Sequence, residues 1–90
     1  MPRREHVSRI IDGDTFATKS RKNPVRLANV DAPEKGQPGF MKAKKQLANL
    51  IQGEVVVVNT VTRDKYGRSV AKVYESGKSV NKEMQRRLKK

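Results

Sequence analysis

The chain has 90 residues, which limits it to one compact domain that buries only about 60 to 65% of the surface of its unfolded form. Its 21 Lys and Arg against 9 Asp and Glu leave a net charge of +12, which attracts polyanions such as nucleic acid. A lysine-rich solubilising surface is the alternative explanation of this charge. The absence of cysteine excludes a disulfide framework and a thiolate metal site, and it leaves the cellular compartment undetermined. No stretch approaches the roughly 20 apolar residues of a membrane span.

The first third of the chain predicts three strands. Two β-rich runs within residues 6–18 flank Asp12-Gly13, a pair suited to the positive φ angles of a tight turn, and indicate a β-hairpin. Residues 24–31 (PVRLANVD) indicate a third strand, which the following Ala32-Pro33 ends. Residues 35–39 contain two glycines and a proline and predict an exposed loop.

The remaining elements alternate between helical and strand patterns. A helix is predicted from Phe40 to a stop at Gly53, because its apolar residues recur at helical spacing. Residues 54–62 contain four consecutive valines and predict the most buried strand. Residues 69–75 predict the next strand, and residues 78–80 pair back or lead into a last helix with an apolar stripe at Val80, Met84 and Leu88.

This order of elements predicts the fold class. Three strands, a helix, two strands and a terminal helix match an α+β fold, mainly β: a five-stranded OB-fold barrel with a helix between strands 3 and 4 and a C-terminal helix. No repeat or linker interrupts the pattern, so residues 1–90 are expected to form a single domain.

Three segments combine acidic and basic groups with chain-bending residues. They are residues 11–15 (IDGDT), residues 25–34 (VRLANVDAPE) and residues 64–68 (DKYGR). Taken one at a time, each is at least as compatible with a structural role: a hairpin turn, a strand end followed by helix-start acids, or a charged turn.

Together the three segments resemble the staphylococcal-nuclease-like (thermonuclease) family, whose pattern is I-D-G-D-T, then R-L with V-D-x-P-E, then D-K-Y-G-R. Gly77-Lys78 and Val80-Asn81 follow in register, so the resemblance extends from Val7 to Met84. It implies the same barrel and a calcium-dependent nuclease. The expected domain lacks the third, C-terminal helix of the family and its substrate-stacking tyrosines.

The resemblance also implies a metal site. Asp14 and Asp31 would be carboxylate ligands of a Ca²⁺ ion, and the backbone carbonyl of Ala32, where many relatives have threonine, would be a third ligand. This donor set suits Ca²⁺, which takes six to eight oxygen ligands in irregular geometry.

Catalytic and substrate-binding roles follow from the same resemblance. Arg26 and Arg68 would hold the scissile phosphate, because a guanidinium fork bonds two phosphate oxygens and stays charged. Glu34 would orient or deprotonate the attacking water. Lys65 and Tyr66 match substrate-binding positions that contact phosphate. Since Arg26 and Asp31 are five residues apart, strict strand alternation would send them to opposite faces, so a bulge, twist or strand end must intervene.

The leading functional hypothesis is a monomeric Ca²⁺-dependent nuclease that acts on single-stranded or flexible DNA and RNA with low sequence specificity. By resemblance, it would leave a 3′-phosphate and a 5′-hydroxyl. The alternative is a catalytically inactive OB-fold module that binds single-stranded nucleic acid, although such modules stack bases on aromatic residues and this chain has four. A module that binds methylated arginine in an aromatic cage is a third interpretation with the same shortage of aromatics.

Overall fold

Six strands and two helices occupy the part of the chain that this computed structural model describes, residues 2–88. The strands are β1 (Arg3–Asp12), β2 (Thr15–Thr18), β3 (Val25–Leu27), β4 (Val55–Arg63), β5 (Ser69–Glu75) and β6 (Lys78–Ser79). The helices are α1 (Phe40–Ile51), between β3 and β4, and α2 (Val80–Leu88).

Five of the strands close into a barrel. The sheet runs β3-β2-β1-β4-β5 with antiparallel neighbours, and a parallel pairing of β3 with β5 joins its two edges. The two-residue β6 pairs only with β5 and leads directly into α2. The predicted five-stranded OB-fold barrel with two helices is therefore confirmed.

The hairpin between β1 and β2 is confirmed, but the reason for its glycine is different from the predicted one. Gly13 is not among the residues with positive φ. Instead, a Cβ atom at Gly13 would lie 2.7 Å from the Cβ of Ala43 in α1 and 2.8 Å from the Cβ of Ala32. Glycine is required here because the hairpin turn, α1 and the segment after β3 approach one another closely.

The third strand is shorter than predicted and ends at Leu27. Asn29 adopts a left-handed conformation with φ of 60°, so the chain turns there before the buried Val30. This strand end meets the requirement set by the spacing of Arg26 and Asp31, since the two residues no longer belong to one alternating strand.

The prediction that the valine-rich strand is the most buried was wrong. Val56 and Val58 face the core and are 1% and 0% exposed, whereas Val55 and Val61 are 47% and 52% exposed. Successive side chains of a strand point to opposite faces, so one set of β4 side chains reaches solvent. The short strands β2 and β3 are more completely buried.

Both helices pack their apolar stripes against the barrel. In α1, Ala43, Leu47 and Ile51 are buried, and the helix stops just before Gly53, whose φ is 76°. In α2, Val80 and Met84 enter the same core. Neither helix is long and apolar enough to cross a membrane.

Asn81 fastens α2 to the barrel through polar contacts. It is buried, its side-chain amide donates to the carbonyl oxygens of Ala28 (2.9 Å) and Ala71 (3.0 Å), and its Oδ1 accepts from the N–H of Val73 (2.7 Å). These bonds span the junction of β3 and β5, so Asn81 stabilises the closure of the barrel.

A second buried polar cluster lies on β1. The Glu5 side chain is 2% exposed and accepts hydrogen bonds from Arg21, Thr18 and Ser20. Arg21 also donates to the hydroxyl of Ser69 at 2.8 Å, so the pair links β1 to the start of β5. Burial alone would raise the pKa of Glu5, but the hydrogen bonds and charge of Arg21, with those hydroxyls, hold it below its ordinary value.

Candidate functional site

A cleft of about 490 Å³ beside the hairpin turn gathers most of the predicted site. We call it the carboxylate cleft, and its lining includes seven of the eight predicted residues: Asp14, Arg26, Asp31, Ala32, Glu34, Tyr66 and Arg68. These residues come from the hairpin, from β3 and the segment after it, and from the turn before β5. Barrel closure by the β3–β5 pairing is what brings the three segments together.

Asp14 is the most constrained carboxylate of the cleft. It is buried just after the hairpin turn, with 6% of its surface exposed. Its Oδ1 accepts a hydrogen bond from the Thr15 hydroxyl at 2.9 Å, and its Oδ2 accepts one from the N–H of Ala32 at 3.1 Å. The second bond ties the hairpin to the segment after β3 and fixes the direction of the carboxylate.

Arg26 joins the two predicted metal ligands. It lies in the middle of β3, opposite Thr15 of β2. Its Nη2 lies 3.4 Å from Oδ2 of Asp14 and 3.8 Å from Oδ1 of Asp31. The Asp31 side chain is otherwise fully exposed. The carboxylates of Asp14 and Asp31 therefore both face Nη2 of Arg26. Their negative charges stabilise a positive charge placed between them.

The turn of residues 64–68 holds Arg68 through Asp64. Oδ2 of Asp64 accepts from Nε of Arg68 at 2.6 Å, and Oδ1 accepts from the N–H groups of Tyr66 and Arg68 at 2.9 Å each. Desolvation would raise the pKa of Asp64, but these hydrogen bonds and the Arg68 charge lower it below its ordinary value. Within residues 2–88 the two Nη atoms of Arg68 have no hydrogen-bond partner, so they can bind an anion in the cleft.

Tyr66 and Lys65 differ in their placement. Tyr66 lines the cleft and is 71% exposed, with the Lys65 Nζ at 5.3 Å and the Arg68 guanidinium carbon at 5.4 Å from its ring centre. Lys65 is not among the residues that line the cleft, so its phosphate contact stays a prediction.

Glu34 lies in the loop before α1. Its N–H donates to Oε1 of Gln37 at 2.7 Å, and the N–H of Gln37 donates to the Glu34 carbonyl at 2.9 Å. This closed turn orients the backbone of the loop. Among the described residues, the Glu34 carboxylate makes no hydrogen bond or ion pair, so it remains available to a ligand in the cleft.

Two lining residues were not predicted as site residues, Asp12 and Lys35. Asp12 lies two positions before Asp14 in the IDGDT motif, and its Oδ1 accepts from the N–H of Asp14 at 3.0 Å. Burial and then the neighbouring Asp14 carboxylate raise the pKa of Asp12 to about 6. The two aspartates of the IDGDT motif could have indicated Asp12 as a site residue. Lys35 could have been indicated by its position directly after Glu34.

The donor atoms of the cleft are compatible with a hard cation. Across residues 2–88 no group of three or more His, Cys, Asp or Glu side chains is arranged to hold a metal ion. Two carboxylates, Asp14 and Asp31, and the backbone carbonyl of Ala32 are oxygen donors of the kind that Ca²⁺ takes. Asp14 and Asp31 both lie within 4 Å of Nη2 of Arg26, so the chemistry of the two carboxylates suits a positively charged ligand.

Comparison with known proteins gives several similar bacterial sequences. A Haemophilus influenzae protein described as an uncharacterized endonuclease is 42% identical over 81 residues, which is 87% of this chain and 46% of that protein. An Escherichia coli O157:H7 protein with the same description is 39% identical over 83 residues, 89% of this chain and 54% of that protein. A Shigella flexneri micrococcal nuclease is 41% identical over 73 residues, 79% of this chain and 42% of that protein.

The chain thus spans about half the length of the curated relatives it matches. Residues 24–87 match the sequence model of the family described as "Staphylococcal nuclease homologue". This range begins just before Arg26 and includes Asp31, Glu34 and Arg68, while Asp14 lies on the adjoining hairpin of the same barrel. The chain belongs to the family of staphylococcal nuclease homologues.

Proposed function

We propose that this chain is a Ca²⁺-dependent nuclease that hydrolyses phosphodiester bonds of single-stranded or flexible DNA and RNA with low sequence specificity. Family membership supports a nuclease, and the net charge of +12 supports a polyanionic substrate. The observation that carries the proposal is the carboxylate cleft, which Arg26 and Arg68 line together with Asp14, Asp31 and Glu34.

Arg68 would bind the phosphate through its Nη atoms. Its Nε is already held by Asp64, so the guanidinium plane is oriented before substrate arrives. A preorganised donor of this kind costs no reorganisation when charge builds on the phosphate oxygens, and is worth about 2.7 to 4 kcal/mol of barrier.

Arg26 would contact the same phosphate from the β3 side. Its hydrogen bond to Asp14 is long, at 3.4 Å, and its ion pair with Asp31 spans 3.8 Å, so both contacts can be exchanged for shorter bonds to phosphate oxygens. A cation bound by the two carboxylates and the Ala32 carbonyl would supply the positive charge that offsets the anionic phosphate as a nucleophile approaches.

Glu34 would position the attacking water. Its carboxylate is exposed in the cleft and has no partner among residues 2–88, while its backbone is held by Gln37. It can therefore accept a hydrogen bond from water and orient it for in-line attack on phosphorus. Breaking the bond to the 5′-oxygen would leave a 3′-phosphate and a 5′-hydroxyl.

Digestion of single-stranded DNA and RNA tests the proposal, with Ca²⁺ or with EDTA. The variants Arg26→Ala and Arg68→Ala should each lower turnover by roughly 10²- to 10³-fold. Glu34→Gln should lower it by roughly 10²- to 10⁴-fold. Matched controls are Arg9→Ala and Glu54→Gln, which remove the same charges from exposed positions outside the cleft.

Calcium-dependent cleavage that is lost in the three cleft variants and retained in the controls would support the nuclease. Intact substrate under every condition, together with salt-sensitive binding, would refute it. That result would favour the catalytically inactive module that binds single-stranded nucleic acid.

A further inference from the structure

The outer face of α1 contains basic and neutral residues and no acidic residue. The helix Phe40–Ile51 contains Lys42, Lys44 and Lys45 and no Asp or Glu, and its first turn lacks any acidic residue. Every ion pair among residues 2–88 uses an arginine, so none of these lysines is neutralised by a carboxylate. The charge of this face is therefore available to an external polyanion.

A continuous series of depressions connects the carboxylate cleft to this face. A second depression of about 630 Å³, which we call the interhelical groove, is lined by Glu34, Gln37, Lys42, Gln46 and Arg87 among others. It shares Asp31, Ala32 and Glu34 with the carboxylate cleft. Lys42 lines both this groove and a third depression on the outer face of α1, beside Met41, Lys44, Lys45 and Ala48.

From this continuity we propose that α1 is a second phosphate-binding surface, over which a single-stranded nucleic acid extends after leaving the carboxylate cleft through the interhelical groove. The proposal rests on the proposed function and extends it by naming the path of the strand and three residues that bind it. Lys42, Lys44 and Lys45 contact phosphates distant from the scissile bond, and they raise affinity for long substrates without touching the reacting atoms.

A membrane surface is the other polyanion that a basic helix can bind, and the packing of α1 argues against it. An interfacial helix inserts its apolar face between lipids. In α1 that face, formed by Ala43, Leu47 and Ile51, is buried against the barrel. Met41, which is 68% exposed, is the one large apolar side chain on the outer face, and it can pack against a nucleobase.

The test compares the triple variant Lys42→Gln, Lys44→Gln and Lys45→Gln with an equally charged control, Lys19→Gln, Lys22→Gln and Lys72→Gln. Gln preserves helix propensity, and the control lysines are exposed and line neither the cleft nor the groove. Binding of a 16-nucleotide single strand and of a trinucleotide is measured in EDTA over a range of salt concentration.

Each phosphate contact with a single strand contributes about 0.7 to the slope of log affinity against log salt. The triple variant should therefore have a slope for the 16-mer that is shallower by about 2, whereas the control should keep the wild-type slope. With Ca²⁺, the triple variant should raise KM for the 16-mer and leave trinucleotide cleavage unchanged.

Equal slopes for the triple variant and the control would overturn the inference. A second result would also overturn it. If the triple variant lost binding to phosphatidylserine vesicles but kept the wild-type salt slope for the 16-mer, α1 would be assigned to a membrane. Failure of the nuclease proposal can be told apart from failure of the α1 proposal, because the salt slopes for binding are measured in EDTA and do not depend on cleavage. A chain that binds the 16-mer through α1 but never cleaves it would refute the nuclease and retain this surface.

Discussion

Replacing Gly13 should destabilise the barrel and disturb the cleft. An added Cβ would meet the Cβ of Ala43 at 2.7 Å and the Cβ of Ala32 at 2.8 Å, and it would also lie 3.2 Å from the backbone carbonyl carbon of Ala43. None of these atoms is the end of a flexible side chain, so the backbone must shift. Overpacking of this kind costs about 1 to 3 kcal/mol.

The expected change is large enough to measure by thermal unfolding. In a domain of 60 to 100 residues, 1 kcal/mol corresponds to about 4 to 8 °C in Tm, so Gly13→Ala should lower Tm by roughly 8 to 16 °C for a cost of about 2 kcal/mol. Cleavage should also fall. A displaced Ala32 would weaken the hydrogen bond from its N–H to Oδ2 of Asp14, which fixes the direction of that carboxylate in the cleft.

A second substitution separates close packing from backbone conformation. If a positive φ were the reason for glycine, Gly13→Asn would be milder than Gly13→Ala, because Asn tolerates the left-handed region. Under close packing, Asn is at least as destabilising as Ala. Gly77 is the matched control, since its φ is +80° and nothing lies within 4 Å of its added Cβ.

At Gly77, Asn should be milder than Ala. The four variants are compared by circular dichroism melts at neutral pH. A Gly13→Asn protein that is more stable than Gly13→Ala would refute the close approach of the hairpin turn to α1, and with it the placement of Ala32 beside Asp14.

Three other expectations follow from the described contacts. Asp64→Asn removes the acceptor of the Arg68 Nε–H, so the guanidinium loses its fixed orientation and kcat should fall by roughly tenfold; a lower Tm with unchanged kcat would contradict a positioning role. Ca²⁺ should raise the Tm of the wild type by mass action and should do so much less in Asp14→Asn, so an equal shift in both would place the cation elsewhere. Although burial would raise the pKa of Glu5, hydrogen bonds and the charge of Arg21 lower it. The ionised Glu5 therefore stabilises the folded state at pH values above its ordinary pKa of 4.5, and this stabilisation is lost as the pH falls through the lower folded-state pKa. The Tm difference between wild type and Glu5→Gln should therefore shrink at acidic pH, and a constant difference would count against the pair.

Local patterns in the sequence were sufficient to predict the elements of this fold. The helical spacing from Phe40 to the stop at Gly53 corresponds to α1, and the stripe of Val80 and Met84 corresponds to α2. These features depend on side chains a few residues apart, which the sequence displays directly. The burial of β4 was predicted wrongly because composition shows that valines favour strands, but not which face of a strand the barrel covers.

The motifs likewise indicated which residue types could act on a phosphodiester, and seven of the eight predicted positions line one cleft. Tertiary structure decided the rest. The left-handed turn at Asn29 places Asp31 near Arg26, and the β3–β5 pairing brings Arg68 to the same cleft. That pairing joins residues more than forty positions apart. Its geometry depends on barrel closure and packing, which local sequence patterns do not encode.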